Sequence, residues 1–220
     1  SKLKEKVEKE RAKKSRGYSI SIKKDGAAQV ALVGLPNSGK STILHKLTGA
    51  KVEIADYPFT TKKPQVGVMD YCGIKIQLIE VPAIFEGFME SGKGPSFMGV
   101  ARSTDLVVVV LDGTKDCGKD LKIIENEFDK AFVKLRKIKK EKTEYEIKDC
   151  LVVVSKVMSN FKCVYPICWV EDLKDSIWSK LGLIYVQTKT SGKKPDLPPV
   201  ALDEGSSVRD LAALIHKDFV

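Results

Sequence analysis

The sequence predicts an α/β fold: a mostly parallel sheet with one antiparallel hairpin at its edge and helices on both faces. Strand-like apolar runs at Gln29–Val33, Val66–Asp70, Ile74–Glu80, Asp105–Leu111, Cys150–Ser155 and Val164–Cys168 alternate with helical stretches after the third. That is the pattern of a sheet built from crossover units. The second and third runs are separated only by Tyr71-Cys72-Gly73, which is too short for a crossover, so they pair antiparallel. The run Leu106 to Leu111 is apolar throughout, as a parallel strand covered on both faces requires.

The first strand leads into Gly34-Leu35-Pro36-Asn37-Ser38-Gly39-Lys40-Ser41, which fits G-x-x-x-x-G-K-[ST] in the strand-to-helix setting that gives the pattern meaning. Its glycines let the backbone wrap a phosphate chain, and the positive end of the helix that follows favours an anion. Asn37, Ser38, Gly39, Lys40, Ser41 and Thr42 form the predicted nucleotide-binding set. Within it Lys40 neutralises the β- and γ-phosphates. The Ser41 hydroxyl is a ligand for Mg²⁺, a hard ion that takes oxygen donors.

Further along, Leu121, Ile124, Phe128, Ala131, Leu135 and Ile138 recur at three and four residues, which predicts one long helix with its apolar stripe on the sheet. Asp172 to Leu181 reads as a final helix stopped by Gly182. The tail from Leu183 changes character, with a short strand, a Gly/Pro-rich loop over Ser191–Pro199 and an amphipathic helix over Ser207–His216. The expected divisions are a basic helical segment over 1–26, a nucleotide domain over 27–182 and an appended segment over 183–220.

A chain of 220 residues can bury one good core and a small appendage. No stretch reaches membrane-spanning length, and no apolar signal region follows the lysine-rich start, so a cytoplasmic protein without a membrane partner is expected. The five cysteines form no C-x-x-C pair, which points to reduced, mostly buried thiols. The formal charge is +9, with eight Lys or Arg against three Glu in Ser1–Arg16 and a second basic run over Lys134–Lys142. Such runs suit phosphate backbones, and RNA is the expected acidic partner, although a solvated helix face explains either run alone.

The stretches GLPNSGKST, ADYPFTTKKPQVGV and IKIQLIEVPAIFEG, with IIENE at Ile123–Glu127, resemble the Obg-related GTPases, most closely the developmentally regulated GTP-binding protein branch. The tail IYVQTKTSGKKPDLPP and SSVRDLAALIHKDF resembles the opening of a TGS domain of the β-grasp type. The resemblance implies a P-loop NTPase of the Ras-like G-domain type, binding GTP or GDP with Mg²⁺ and acting on ribosomes or RNA, with a regulatory protein as a further partner. It places a switch at Tyr57-Pro58-Phe59-Thr60-Thr61. Thr61 is then the Mg²⁺ and γ-phosphate residue, with Thr60 in reserve, and Lys40 and Thr61 are the catalytic pair. A potassium ion belongs to the same resemblance, with Asn37 in position to bind it.

Several positions depart from the family pattern. Where D-x-P-G is usual the chain has Glu80-Val81-Pro82-Ala83, which lengthens the third metal candidate, Glu80, and stiffens the following peptide. Ile84 stands where many GTPases have a water-positioning glutamine, so turnover is expected to be slow or partner-dependent. N-K-x-D is replaced by Ser155-Lys156-Val157-Met158. Lys156 can still lay its stem over a base, but Met158 cannot accept the paired N–H bonds that select guanine. At about 1.5–3 kcal/mol each, two such bonds amount to about 10²- to 10⁴-fold in selectivity. Trp169 reads as a core residue in preference to a base-stacking one. Glu86–Gly99 is rich enough in glycine for a mobile second switch or a plain surface loop, with Lys93 or Arg102 in reach of phosphate or RNA. Three functions follow: a slow Mg²⁺-dependent GTPase switch, a non-catalytic nucleotide-binding adaptor for RNA or the ribosome, and an ATPase of the same fold.

Overall fold

The structure, a computed structural model, describes residues 22–49, 52–54, 64–136, 146–157 and 160–215. The switch residues Tyr57–Thr61, Met158, His216, Ser1–Arg16 and all of the second basic run beyond Arg136 lie outside the described residues.

The strands are β1 (Ala28–Val33), β2 (Val52–Ile54), β3 (Gln65–Tyr71), β4 (Ile74–Glu80), β5 (Leu106–Asp112), β6 (Val133–Arg136), β7 (Glu146–Ser155) and β8 (Ile167–Trp169). Their order is β2-β3-β4-β1-β5-β7-β6, with β8 also on β7. The pairs β4–β1, β1–β5, β5–β7, β7–β6 and β7–β8 are parallel, and β2–β3 and β3–β4 are antiparallel. The expected hairpin closes through Cys72-Gly73, since Tyr71 is already paired with Ile74, and β2 adds a further antiparallel strand outside it.

Strand alternation divides the core between two faces. Ala31, Val33, Val107, Val109, Val152 and Val154 meet Phe97, Val100 and Ala101 of α2 (Gly94–Ser103) and Leu121, Ile124 and Phe128 of α3 (Cys117–Lys130). Val30, Leu32, Val108, Val110 and Val153 meet Ile43 and Leu44 of α1 (Lys40–Thr48) and Leu173 and Ile177 of α4 (Leu173–Leu181). Every residue of β5 is buried, and each large apolar side chain so placed contributes about 1.5–3 kcal/mol. α4 ends on Gly182 at φ 62, the left-handed cap the sequence predicts.

The long helix through Ile138 is a correction. α3 starts on Asp116, whose carboxylate accepts from the Lys119 N–H, and stops at Lys130. Phe132 takes φ 58, and Val133–Arg136 pairs with β7. Leu135 is buried, as the helical stripe requires, but Val133 and Leu135 also alternate with period two. The edge of β7 opposite β5 needs a strand's hydrogen bonds, which no helix supplies. The sixth strand is also shorter than expected, Ile167–Trp169, and Trp169 packs partly buried against the core. Cys117, Cys150 and Cys168 are buried, Cys163 is half-buried and Cys72 exposed, all as free thiols.

In the tail, β9 (Leu183–Val186) pairs antiparallel with β10 (Val200–Asp203), and α5 (Val208–Ile215) follows. Ser207 and Asp210 cap that helix reciprocally: the Ser207 N–H reaches Asp210 at 2.7 Å and the Asp210 N–H reaches the Ser207 hydroxyl at 3.3 Å, a capping box. Tyr71 stacks on Trp178 at 4.7 Å between ring centres, and Trp178 leans on Tyr185 at 6.2 Å, so an aromatic row joins β3, α4 and β9.

Candidate functional site

The carboxyl ends of β1, β4, β5 and β7 meet at one rim of the sheet, the place where open α/β sheets bind ligands. The Gly34–Ser41 loop leaves β1 there. Gly34 has no room for a side chain, because a Cβ would lie 2.5 Å from the Val110 carbonyl oxygen and 2.6 Å from the Ser38 hydroxyl. Asn37 at φ 63 and Gly39 at φ 96 complete the curl, with the Ser38 N–H donating to the Leu35 carbonyl at 3.3 Å. The loop is held from behind by the Ile84 N–H, which donates to the Gly34 carbonyl at 3.0 Å. Ile84 itself is fully buried, so its side chain belongs to the core.

Lys40 is 5% exposed, and its ammonium donates to the Gly34 and Leu35 carbonyls at 3.1 and 3.0 Å. Burial lowers its pKa and the nearby Glu80 carboxylate pulls the other way. The cation therefore sits in a desolvated cradle, where an incoming anion gains most from it.

The Ser41 hydroxyl donates to Glu80 Oε1 at 2.8 Å, and Glu80 Oε2 is buried without a partner among the described residues. Two of the three predicted metal residues thus touch, and an acceptor is left over beside them. An oxygen-only pair of this kind fits Mg²⁺, with water and phosphate oxygens for the remaining positions. No group of three or more His, Cys, Asp or Glu side chains able to hold a metal occurs among the described residues. Thr61, the third predicted residue, is outside them. Thr42 lies exposed on the first turn of α1.

On the far side of the loop, the Ser155 hydroxyl lies 2.6 Å from the Ser38 carbonyl and 3.0 Å from the Leu111 carbonyl. It has one proton for two acceptors, so the bond is shared. The Lys156 head group has a partner that the sequence did not indicate. Its ammonium is drawn to Asp112 Oδ2 at 2.5 Å. The other oxygen of Asp112 accepts from the Thr114 N–H at 3.0 Å and the Thr114 hydroxyl at 2.6 Å. Asp112 is 2% exposed. Burial works to raise its pKa, but the bonds from Lys156 and Thr114 prevail and hold the carboxyl down at about 2.

The segment after β4 holds a 3₁₀ turn over Phe88–Glu90 and then α2, so it carries more regular structure than the plain surface loop that is one of its two expected readings. Glu127 of α3, 1% exposed, accepts from the Gly87 N–H at 2.9 Å, the Met89 N–H at 2.7 Å and Lys130 at 2.7 Å. Lys130 also reaches Glu90 at 2.9 Å. Arg102 donates to the Ala131 carbonyl, which ties α2 to the end of α3.

Sequence reasoning missed Asp112 and Glu127. Asp112 had a signal, an acid closing a fully apolar parallel strand beside the phosphate loop. Glu127 had one too, an acid between Ile124 and Phe128 on the apolar stripe of a helix.

Residues 29–156 match the family described as 50S ribosome-binding GTPase. Developmentally-regulated GTP-binding protein 1 of Xenopus laevis is 30% identical over 278 aligned positions, covering 93% of this chain and 76% of that protein. The homolog of that protein in Dictyostelium discoideum is 43% identical over 122 residues, covering 55% of this chain and 33% of the relative. Ribosome-interacting GTPase 1 of Saccharomyces cerevisiae is 28% identical, covering 93% of this chain and 75% of its own length. The Xenopus alignment exceeds the 220 residues of this chain, so that relative carries positions with no counterpart here. Among solved structures, the G domain of the T. maritima FeoB iron transporter superposes with a TM-score of 0.52 at 22% identity, covering 70% of this chain and 98% of that one. That likeness establishes the fold.

Proposed function

The chain belongs to the developmentally regulated GTP-binding protein family of GTPases, and on that footing we propose that it is a Mg²⁺-dependent guanine-nucleotide switch with slow or partner-dependent hydrolysis. The observation that carries this reading is the Ser41–Glu80 contact of 2.8 Å beside the buried Lys40. It joins a phosphate loop to an acidic residue at the end of the strand where the γ-phosphate sensor belongs. Asn37, Ser38, Gly39, Lys40, Ser41 and Thr42 embrace the phosphates, with Lys156 on the base side. Ser41, Glu80 and Thr61 are the residues to hold Mg²⁺, which when bound neutralises phosphate charge. Lys40 withdraws charge from the β- and γ-phosphates, and Thr61 closes over the γ-phosphate. Asn37 is the residue for a potassium ion. The basic residues of the chain and the ribosome-interacting yeast relative support a site of action on ribosomes or RNA in the cytoplasm. No helix among the described residues is long and apolar enough to cross a membrane. We assign 27–182 as the G domain, 1–26 as a basic segment and 183–220 as a partial TGS-like unit.

Calorimetric titration with GTP, GDP and ATP, with and without Mg²⁺, tests the reading. Tight, Mg²⁺-dependent binding in which GTP and GDP differ supports a switch, and equal affinity for the two sinks it. A second reading is favoured by Ile84, whose burial leaves no side chain at that position to orient water: a non-catalytic adaptor that binds nucleotide without turnover. GTP hydrolysis lost on Lys40→Ala would refute that one. Competition between ATP and GTP decides the ATPase alternative.

A further inference from the structure

Lys156 stands in a strained backbone conformation that Asp112 is built to hold. The Val157 N–H donates to the Ser155 carbonyl at 2.9 Å across Lys156 at φ 70. This is the γ-turn with positive φ at its centre, the rare and strained form. A non-glycine residue held there costs on the order of a kcal/mol and persists only where its surroundings over-determine it, a condition that gathers at functional sites.

The surroundings are specific. Asp112 and Ser155 are direct partners in the β5–β7 register, and the Gly113 N–H donates to the Ser155 carbonyl at 3.0 Å. A Cβ on Gly113 would lie 2.5 Å from the Val157 carbonyl oxygen and 3.0 Å from that of Ser155, so the turn packs directly on this glycine. Asp112 is engaged through both oxygens. One oxygen takes both Thr114 bonds and the other takes the Lys156 ammonium at 2.5 Å. Both of its oxygens are thus occupied by this chain's own donors, and the Lys156 charge is spent on it. What Lys156 still presents, at 42% side-chain exposure, is its apolar stem, as long cationic side chains do when the head group is anchored elsewhere.

We propose that Asp112, with Thr114 behind it, is the positioning residue of the base-side wall: it anchors the Lys156 ammonium in the strained turn so that the stem offers a flat apolar contact to a nucleobase. The assignment rests on the nucleotide-binding reading above. Its chemical consequence is that this wall adds affinity for any purine nucleotide and discriminates little among bases, because a face contact reads no hydrogen-bond pattern.

The test is to titrate the wild-type chain, Asp112→Asn and Thr114→Val with GTP, ATP and inorganic tripolyphosphate in Mg²⁺. Asp112→Asn keeps the shape and removes the charge that anchors Lys156. It is expected to weaken GTP and ATP alike by about tenfold, the scale of one charge-assisted hydrogen bond, and to leave tripolyphosphate affinity unchanged. Thr114→Val, which removes one bond to Asp112, is expected to give a smaller loss of the same kind and serves if Asp112→Asn does not fold. In a Lys156→Met background, Asp112→Asn should have no further effect on GTP. Equal losses for all three ligands would make Asp112 merely structural and overturn the assignment, as would unchanged nucleotide affinity. A wild-type chain that binds tripolyphosphate but neither nucleotide overturns the wall while sparing the phosphate loop. Failure to bind any of the three overturns the nucleotide reading itself and the assignment with it.

Discussion

The Ser155 hydroxyl lies 2.6 Å from the Ser38 carbonyl oxygen, 117 residues away in sequence, and ties the end of β7 to the back of the phosphate loop. Position 155 departs from the asparagine usual in the family, yet the shorter side chain reaches the loop because Gly39 leaves it room: a Cβ there would meet the hydroxyl at 3.2 Å.

Removing that tether loosens the loop without touching phosphate. Ser155→Ala is expected to lower affinity for nucleotide and tripolyphosphate together by about three- to tenfold, since a buried hydrogen bond contributes about 0.5–1.5 kcal/mol. Titration calorimetry with both ligands checks it. Unchanged affinity would mean that the loop holds its shape without the tether.

Lys40→Ala separates binding from stability. Among the described residues the buried ammonium has carbonyl hydrogen-bond partners, and burial depresses its pKa against the pull of Glu80, so its removal should cost the fold little. Losing charged hydrogen bonds to phosphate, at about 1.5–3 kcal/mol each, predicts at least a tenfold drop in triphosphate affinity. A denaturant midpoint that falls as far as the affinity would contradict this.

Ser41→Ala leaves Glu80 Oε1 without its donor and takes one oxygen from the metal pair. The expected result is that Mg²⁺ no longer strengthens GTP binding, while the affinity measured in EDTA stays near that of the wild-type chain. A persistent Mg²⁺ dependence would place the ion on other residues.

Glu127→Ala strips the acceptor from the Gly87 and Met89 N–H groups and from Lys130. Leaving buried donors unpaired costs about 1–3 kcal/mol each, so a loss of about 2–4 kcal/mol is expected. Hydrogen exchange should accelerate at residues 87–91 before the rest of the domain. Exchange that rises uniformly would show that Glu127 supports the core in general, with no special hold on this segment.

Acid should act through Asp112. Its folded pKa, about 2, lies below the ordinary 3.8, so the unfolded chain binds the proton first. The stability it confers is complete above about pH 4–5 and is lost as pH falls towards 2. Asp112→Asn should flatten the stability–pH curve between pH 4 and 2 relative to the wild-type chain, and parallel curves would refute the coupling.

The sequence by itself determined the elements whose rules are local. The Gly34–Ser41 loop follows from spacing and its strand–helix setting. The β3–β4 hairpin follows from a connection too short for a crossover, and the stop of α4 from Gly182. Periodicity correctly buried Leu121, Ile124, Phe128 and Leu135. It could not tell that Leu135 would be buried in a strand, because the open edge of β7 that recruits β6 exists only once the sheet is assembled. The same reason hid the site's partners. Ser41 and Glu80 are 39 residues apart, Asp112 and Lys156 are 44, and Glu127 is 40 from Gly87. Each pair meets because parallel strands bring their carboxyl ends to one rim or because a helix packs across a turn, and no spacing in the chain records that. Tertiary structure alone decided that Lys156 turns its charge to Asp112. A buried carboxylate must find donors, and the strained turn at 156 delivers an ammonium to it.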